Sequence, residues 1–472
     1  MQRLRQLAPA LVIVATAFWV LRSVMLDPTN RVVGDLTVDL PAHMWVIWYM
    51  GQDSTVANAP FGADFYALEQ LNVLLEQGLG FLGRELAHNV AAFLALVVAG
   101  VGGHQLGTTL GHRPHSGLLG AVLLVSSPPM VDALHEGTAE FSWVGFAALA
   151  VAGFLRRSWW APLWVALTAW TCWYYGLMVG LTGLLLAAWR RDARVLLTLA
   201  LGAALVIPFA LSFAGSDLEL PRGDGAIEET HHRLAPWIPF GHGHLLWAAV
   251  LVPATFKFRS HPELALLALA GWALTWGTAV GEVLLPFGWL NKALGTFARP
   301  MHLPERFNTM TVLALIPLTC AVRWRPWMAL VVGAVLLAPA PAGSLLPTPA
   351  PLTQLDRDAM VIELPSLFSQ DQADLDREAL HQLVHQQPIP RFPIFPTNEL
   401  KHEGVEALRS DPWMAGVMHG QGGPPSLTAW VVVPTDAPEL NEALRLSAGA
   451  PRFEGDGLSV YWVFQEAENV PP

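Results

Sequence analysis

Val195-Leu196-Leu197-Thr198-Leu199-Ala200-Leu201-Gly202-Ala203-Ala204-Leu205-Val206-Ile207-Pro208-Phe209-Ala210-Leu211-Ser212-Phe213 follows Arg190, Arg191 and Arg194 and carries no charged side chain. As a helix the stretch is about 28 Å long, close to the ~30 Å of hydrocarbon in a bilayer. Similar apolar runs occupy about 8–26, 88–110, 117–133, 141–155, 244–256, 262–285, 308–322 and 327–343. The whole chain has 472 residues, 53% hydrophobic and only 14% charged, with 20 Trp. Soluble domains carry roughly 25% charged residues. The runs therefore predict an α-helical polytopic membrane protein.

Basic residues orient such spans, because short loops rich in Lys and Arg stay cytoplasmic. The clusters are Arg3/Arg5, Arg113, Arg156/Arg157, Arg190/Arg191/Arg194, Lys257/Arg259 and Arg323/Arg325. Placing all of them inside requires an even number of crossings between neighbours. The stretch Trp159 to Trp189 then forms a tight hairpin turning near Trp173-Tyr174-Tyr175-Gly176, where the two tyrosines suit an interfacial aromatic belt or a sugar-stacking surface. The expectation is about eleven transmembrane helices, N-terminus inside, with long outer loops at 27–87, 214–243 and 286–307. A cleaved signal peptide is the alternative for the first run, but no small-residue cleavage site follows it. In the first outer loop, His43-Met44-Trp45-Val46-Ile47-Trp48-Tyr49-Met50 is too short to span and predicts a helix lying on the membrane.

The charge is uneven. Residues 1–343 hold 20 Lys+Arg against 20 Asp+Glu, whereas 344–472 hold 7 against 18 and carry the whole net charge of -11. A transmembrane body (1–343) is thus followed by a Pro/Ala-rich linker (344–352) and an acidic extracytoplasmic domain (353–472). In that domain, strands are expected at 360–364, 429–433 and 458–464. Helices are expected near 371–387, 397–409 and 436–447, the last with a capping pattern at Asp436. The alternation suggests a small C-terminal α/β soluble domain. The acidic balance excludes a nucleic-acid role. Cys172 and Cys320 alone exclude a disulfide scaffold or a cysteine-based metal module.

Ionisable groups near a membrane core are costly and mark function or a partner. Asp35, Asp39 and His43 share one face if their segment is helical; a carboxylate pair there serves as a general base or holds a divalent cation. Asp39, just before Leu40-Pro41, also suits a helix cap. The next outer loop offers His135, Glu136 and Glu140, the last at the mouth of a span, where an acid also favours a helix N-terminus. Arg299 and Arg306 precede another span and suit phosphate or a lipid headgroup. His231, His232, His242 and His244 crowd one loop, but no fixed spacing supports a metal site.

Taken in order, Gly34-Asp35 with Asp39, Trp45 and Trp48, then Pro60-Phe61-Gly62-Ala63-Asp64, Ser127-Pro128, Gly137-Thr138-Ala139-Glu140, Tyr174-Tyr175-Gly176, Pro304-Glu305-Arg306-Phe307 and Ile362-Glu363-Leu364-Pro365 resemble bacterial multi-span GT-C-type glycosyltransferases, including a large uncharacterised branch. The resemblance implies a GT-C-like fold and transfer of a sugar from a polyprenyl-phosphate donor, bound among membrane lipids, to an acceptor hydroxyl on the non-cytoplasmic side. It implies Asp35 or Asp39 as base and Arg299 and Arg306 neutralising the leaving phosphate; Glu140 joins them as a catalytic candidate from its own place at the mouth of a span. His43, His135, Glu136, Tyr174 and Tyr175 become substrate-binding candidates. The Asp35/Asp39 pair differs from the adjacent-acid motif of some protein-mannosylating relatives, which leaves open the base and whether the acceptor is glycan, lipid or protein. No resident cofactor is expected. A transporter or lipid flippase, and a non-catalytic scaffold, are the readings from other classes. A transporter should carry charges at mid-membrane on broken helices, whereas here they gather at the outer mouths.

Overall fold

The computed structural model describes residues 2–52, 57, 70–110, 114–214, 252–276, 279–280, 283–294, 304–322, 324, 343–355, 359–366, 372–390 and 403–465. The chain divides into two compact units. The first comprises Met1–Asp35, Leu68–Ala214 and Leu220–Ser344, and the second Leu36–Ala67, Gly215–Glu219 and Leu345–Pro472.

In chain order the helices begin with α1 (Gln2–Val20), α2 (Leu40–Tyr49), α3 (Gln70–Gly78), α4 (Arg84–Leu110), α5 (Pro114–Val125), α6 (Pro128–Glu136) and α7 (Val144–Arg156). They continue with α8 (Ala161–Thr171), α9 (Trp173–Arg190), α10 (Ala193–Ala214), α11 (Pro262–Leu274), α12 (Pro286–Leu294) and α13 (Asn308–Cys320). The last four are α14 (Gln372–His385), α15 (Glu403–Arg409), α16 (Pro412–Met418) and α17 (Pro438–Ala448). Strand β1 (Arg31–Val33) lies in the first unit; β2 (Val361–Glu363), β3 (Ala429–Pro434), β4 (Phe453–Gly455) and β5 (Leu458–Val463) lie in the second.

Among the described residues, three stretches are long and apolar enough to cross a membrane: Arg84–Leu110, Ser116–Glu136 and Ala193–Leu211. Helix α10 carries the outward apolar surface that such a span needs. Leu197 is 59% and Leu211 68% exposed, with Leu201, Leu205 and Ile207 beside them, an outward apolar surface that water would penalise. The run expected at 117–133 is broken at Ser126-Ser127 between α5 and α6, because Pro128 and Pro129 have no N–H to continue the ladder; both serine hydroxyls turn back onto carbonyls, Val122 O and Leu124 O, at 2.7 Å. Helices α4, α5 and α7 pack backbone to backbone. A Cβ on Gly103 would collide with Gly120 O, and one on Gly145 with the backbone at Val98 and Ala99. Such small-residue seams are how helices approach closely where lipid is the competitor. The expected runs at 244–256 and 327–343 fall largely outside the described residues, as do Arg113, Arg323 and Arg325.

The expected hairpin breaks at Cys172, one residue before the turn expected at 173–176. Cys172 is extended (φ -153°, ψ 114°) between α8 and α9. Tyr174 and Tyr175 therefore belong to the first turn of α9 and are buried, rather than forming an interfacial belt.

At the far end of the first unit, Arg156 reaches Gln105 O at 3.0 Å, Arg157 Nε lies 2.8 Å from Asp192, and Arg190 lies 2.7 Å from Glu263. These contacts gather the end of α4, the ends of α7 and α9, and the starts of α10 and α11. Two of the expected basic clusters thus share one end of the bundle, with Trp159, Trp160 and Trp189 exposed beside them.

In the second unit the strand order is β2-β3-β5-β4; β2 and β3 are parallel and the other pairings antiparallel. Period-two alternation splits the core. Val431, Val433, Tyr461 and Val463 join α15–α17 on one face, while Trp430, Val432 and Val460 meet Leu352, Val361 and Ile389 on the other. Helix α17 takes Ala437 as its N-cap with no side-chain bond, so the capping read at Asp436 is not made; Asp411 caps α16 instead, accepting from Met414 N at 2.9 Å.

Two expectations about the first outer loop are corrected. The described residues 36–52 group with the C-terminal unit, whereas the sequence places them in the body 1–343. Helix α2 packs on α14 instead of lying on the membrane: Trp45 is buried, stacks on Tyr49 at 4.7 Å, and donates its indole N–H to Gln382 Oε1 at 2.6 Å. Aromatic helices suit either setting; a polar partner for the indole favours protein.

Candidate functional site

The first unit brings together side chains from three distant stretches. Helix α6 ends at Gly137, whose φ of 78° turns the chain in a left-handed C-cap. A short 3-10 segment, Ala139–Trp143, then leads into α7. Glu136 closes α6, and Glu140 and Phe141 sit in that segment. Arg306 lies in a second 3-10 turn, Pro304–Phe307, opening α13.

The Arg306 guanidinium carbon stands 3.4 Å from the Phe141 ring centroid and 5.8 Å from that of Tyr174. Its Nη2 is 3.9 Å from Glu136 Oε2, and the Arg306 side chain is only 17% exposed. Burial alone would lower its pKa, but Glu140 foremost, then Tyr174 and Glu136, more than offset that and raise it. The arginine is a fixed cation held among carboxylates and ring faces. Tyr175 buttresses the platform, donating its hydroxyl to Phe141 O at 2.9 Å with its ring edge-on to Phe141 at 5.6 Å. Chemically the cluster supplies carboxylates able to take a hydroxyl proton, a cation for a developing anion, and aromatic faces.

Of the residues singled out in the sequence, Glu136, Glu140, Tyr174, Tyr175 and Arg306 meet here. Asp35 is the last residue of the first unit, in a turn after β1 where Gly34 adopts φ 121° and its carbonyl accepts from Ser344 Oγ at 2.7 Å. Asp39 and His43 belong to the second unit. The shared helical face expected for Asp35, Asp39 and His43 does not form, because α2 starts at Leu40 and residues 36–39 are turn. Asp39 occupies the N-cap position but makes no side-chain cap bond. His135 is exposed on α6. Arg299, His231, His232, His242 and His244, and the stretch Pro60–Asp64, lie outside the described residues. No group of three or more His, Cys, Asp or Glu suited to a metal occurs among the described residues.

The sequence reading missed Phe141, whose apolar side chain looks like any core residue, and a buried polar network beside the site. There Asn72 donates to Glu76 at 3.0 Å, Trp143 donates to Asn72 at 3.1 Å, and His88 Nδ1 lies 3.3 Å from Glu76. His88 Nε2 contacts Val33 O at 3.2 Å, so both ring nitrogens are engaged. The network ties α3, α4 and β1 to the segment carrying Glu140; its cavity of about 10 Å³ has room for roughly one water.

The chain matches no protein-family model and no curated protein.

Proposed function

We propose that this chain is a membrane glycosyltransferase of the bacterial inner membrane, moving a sugar from a polyprenyl-phosphate donor to an acceptor hydroxyl on the extracytoplasmic side. In this reading the body has about eleven spans, its Arg-rich end faces the cytoplasm, and the second unit lies outside. The observation that carries it is Arg306, a buried cation over Phe141 and beside Glu136 and Glu140, at the end of α7 opposite its basic C-terminus. Glu140 takes the acceptor proton; the acceptor oxygen bonds to the anomeric carbon, and the sugar–phosphate C–O bond breaks. The departing polyprenyl phosphate keeps the electron pair, which Arg306 neutralises, with Arg299 as the second basic candidate. Phe141 and Tyr174 hold the guanidinium in place, and Asp35 remains the other candidate base.

A transporter is less well supported, because the buried pair Glu76 and His88 sits at the entrance of α4 rather than mid-span. The test is a reconstitution. Purified protein in liposomes carrying a polyprenyl-phosphate sugar should release polyprenyl phosphate when an acceptor is present. Absence of release across hexose donors and across glycan, lipid and peptide acceptors sinks the reading.

A further inference from the structure

The second unit contains a histidine–carboxylate pair that the Arg306 cluster does not use. Glu363 ends β2, a strand parallel to β3, and ligands of open α/β sheets gather beyond the carboxyl ends of such strands. His381, on α14, sets Nδ1 2.8 Å from Glu363 Oε2, with both side chains 7% exposed. Burial would raise the Glu363 carboxyl, but the facing His381 ring pulls it below the ordinary carboxylate value. A charged carboxylate only accepts, so Nδ1 carries the proton and Nε2 is the nitrogen left for a ligand. Among the described residues Nε2 has no hydrogen-bond partner. His88 is the contrast, with both nitrogens occupied. The second Glu363 oxygen, Oε1, is also buried without a hydrogen bond among the described residues.

His381 opens on a cleft of about 290 Å³, walled by Leu36, Pro347 and Leu380 and lined by Asp376 and Arg377. That volume is at the small end of ligand pockets, ~300–1,000 Å³, the size of one sugar rather than a chain. Its polar groups are mixed in kind. Asp376 only accepts, and Arg377 only donates, with one Nη2 contact to Asp374 at 2.5 Å and other N–H groups remaining. An anion would be repelled by Asp376 and a cation by Arg377. A hydroxyl, which both donates and accepts, suits the pair.

We propose that this cleft binds a monosaccharide-sized, uncharged polyol whose hydroxyls are shared among Asp376, Arg377 and His381 Nε2, with Glu363 fixing the imidazole. The site stands apart from the transfer reading, since no member of the Arg306 cluster takes part. Diethyl pyrocarbonate, which acylates an accessible unprotonated ring nitrogen, tests it on the full chain in detergent at mildly alkaline pH. Peptide mass spectrometry reads His381, with exposed His419 as the reactive reference and buried His88 and His385 as the inert ones. His381 should be labelled, and at least one of glucose, mannose, galactose or ribitol should slow that labelling several-fold while leaving His419 unchanged. D376N and R377Q should keep the labelling and lose the protection. Arg377 is 42% exposed, so R377Q carries the test if D376N fails to fold. A His381 as inert as His385, labelling unaffected by all four polyols, or protection persisting in a folded variant overturns the proposal.

Discussion

Arg306 and Phe141, 165 positions apart in the sequence, are stacked at 3.4 Å from guanidinium carbon to ring centroid. The stack joins the opening turn of α13 to the 3-10 segment before α7, and places the cation where Glu140 and Glu136 act on it. Planarity matters at this position, because a guanidinium covers a ring face while still pointing N–H groups at carboxylates.

Arg306→Lys should therefore fail to substitute. A lysine keeps the charge but loses the face-to-face contact, about 0.5–2 kcal/mol, and the forked donors. Arg306→Gln removes the charge as well and leaves the carboxylates without their cation, so it should destabilise more than Arg306→Lys. Thermal unfolding followed by tryptophan fluorescence should rank wild type above Arg306→Lys above Arg306→Gln, and sugar transfer should be lost in both variants. A Lys variant as stable and active as wild type would show that the stack contributes nothing.

Glu140→Gln keeps the shape of the side chain and removes its capacity to take a proton. General-base contributions run about 10²–10⁴-fold, so turnover should fall by that factor with donor KM little changed. Asp35→Asn, measured alongside, assigns the role: whichever variant shows the larger fall in kcat marks the base, and equal retention of turnover in both removes a carboxylate base from the mechanism.

The charged members of the cluster were legible because charges are scarce in this chain and these stand directly before apolar runs. Phe141 was not, since an aromatic residue at a helix entrance has the same sequence signature in a core, at a lipid boundary or under a cation. Tyr174 and Tyr175 pointed to an interface for the same reason. The common face of Asp35, Asp39 and His43 failed on one residue: Pro41 has no N–H to offer the carbonyl of Thr37, so α2 cannot extend back through it. Glu363 and His381 are joined by tertiary folding across 18 positions, which no helical or strand period reports. Helix α2 belongs to the C-terminal unit through packing such as the Trp45–Gln382 bond, between residues 337 positions apart.

The outward face of α10 gives a prediction independent of function. Leu205, 48% exposed near the middle of the helix, should resist charge. Leu205→Arg carries an insertion penalty of about 2.5–3.5 kcal/mol and should lower the amount of protein recovered in membranes. Leu446→Arg, at a leucine of α17 that is 68% exposed in the second unit, should stay within about 0.5 kcal/mol of wild type and accumulate normally. Equal recovery of the two would contradict lipid contact at α10.

Acid should unfold the second unit through His385. Its Nδ1 accepts a hydrogen bond from Gln387 N at 2.9 Å, so that nitrogen is unprotonated in the fold. Burial foremost, opposed by Glu363 and assisted by His381, pushes its pKa down to about 3. In the unfolded chain the ring titrates near ~6.5. Between about pH 6.5 and 3 the unfolded chain therefore holds one more proton, and stability falls with pH by about 1.4 kcal/mol per unit. Glu363, depressed in the fold, adds its own loss in the same direction once the pH drops below the ordinary carboxylate value. His385→Asn retains an acceptor near the position of Nδ1 but cannot be protonated there. Thermal midpoints of the variant should stay flat from pH 6.5 to about 4.5, where wild type declines; parallel declines in the two proteins would locate the acid sensitivity elsewhere.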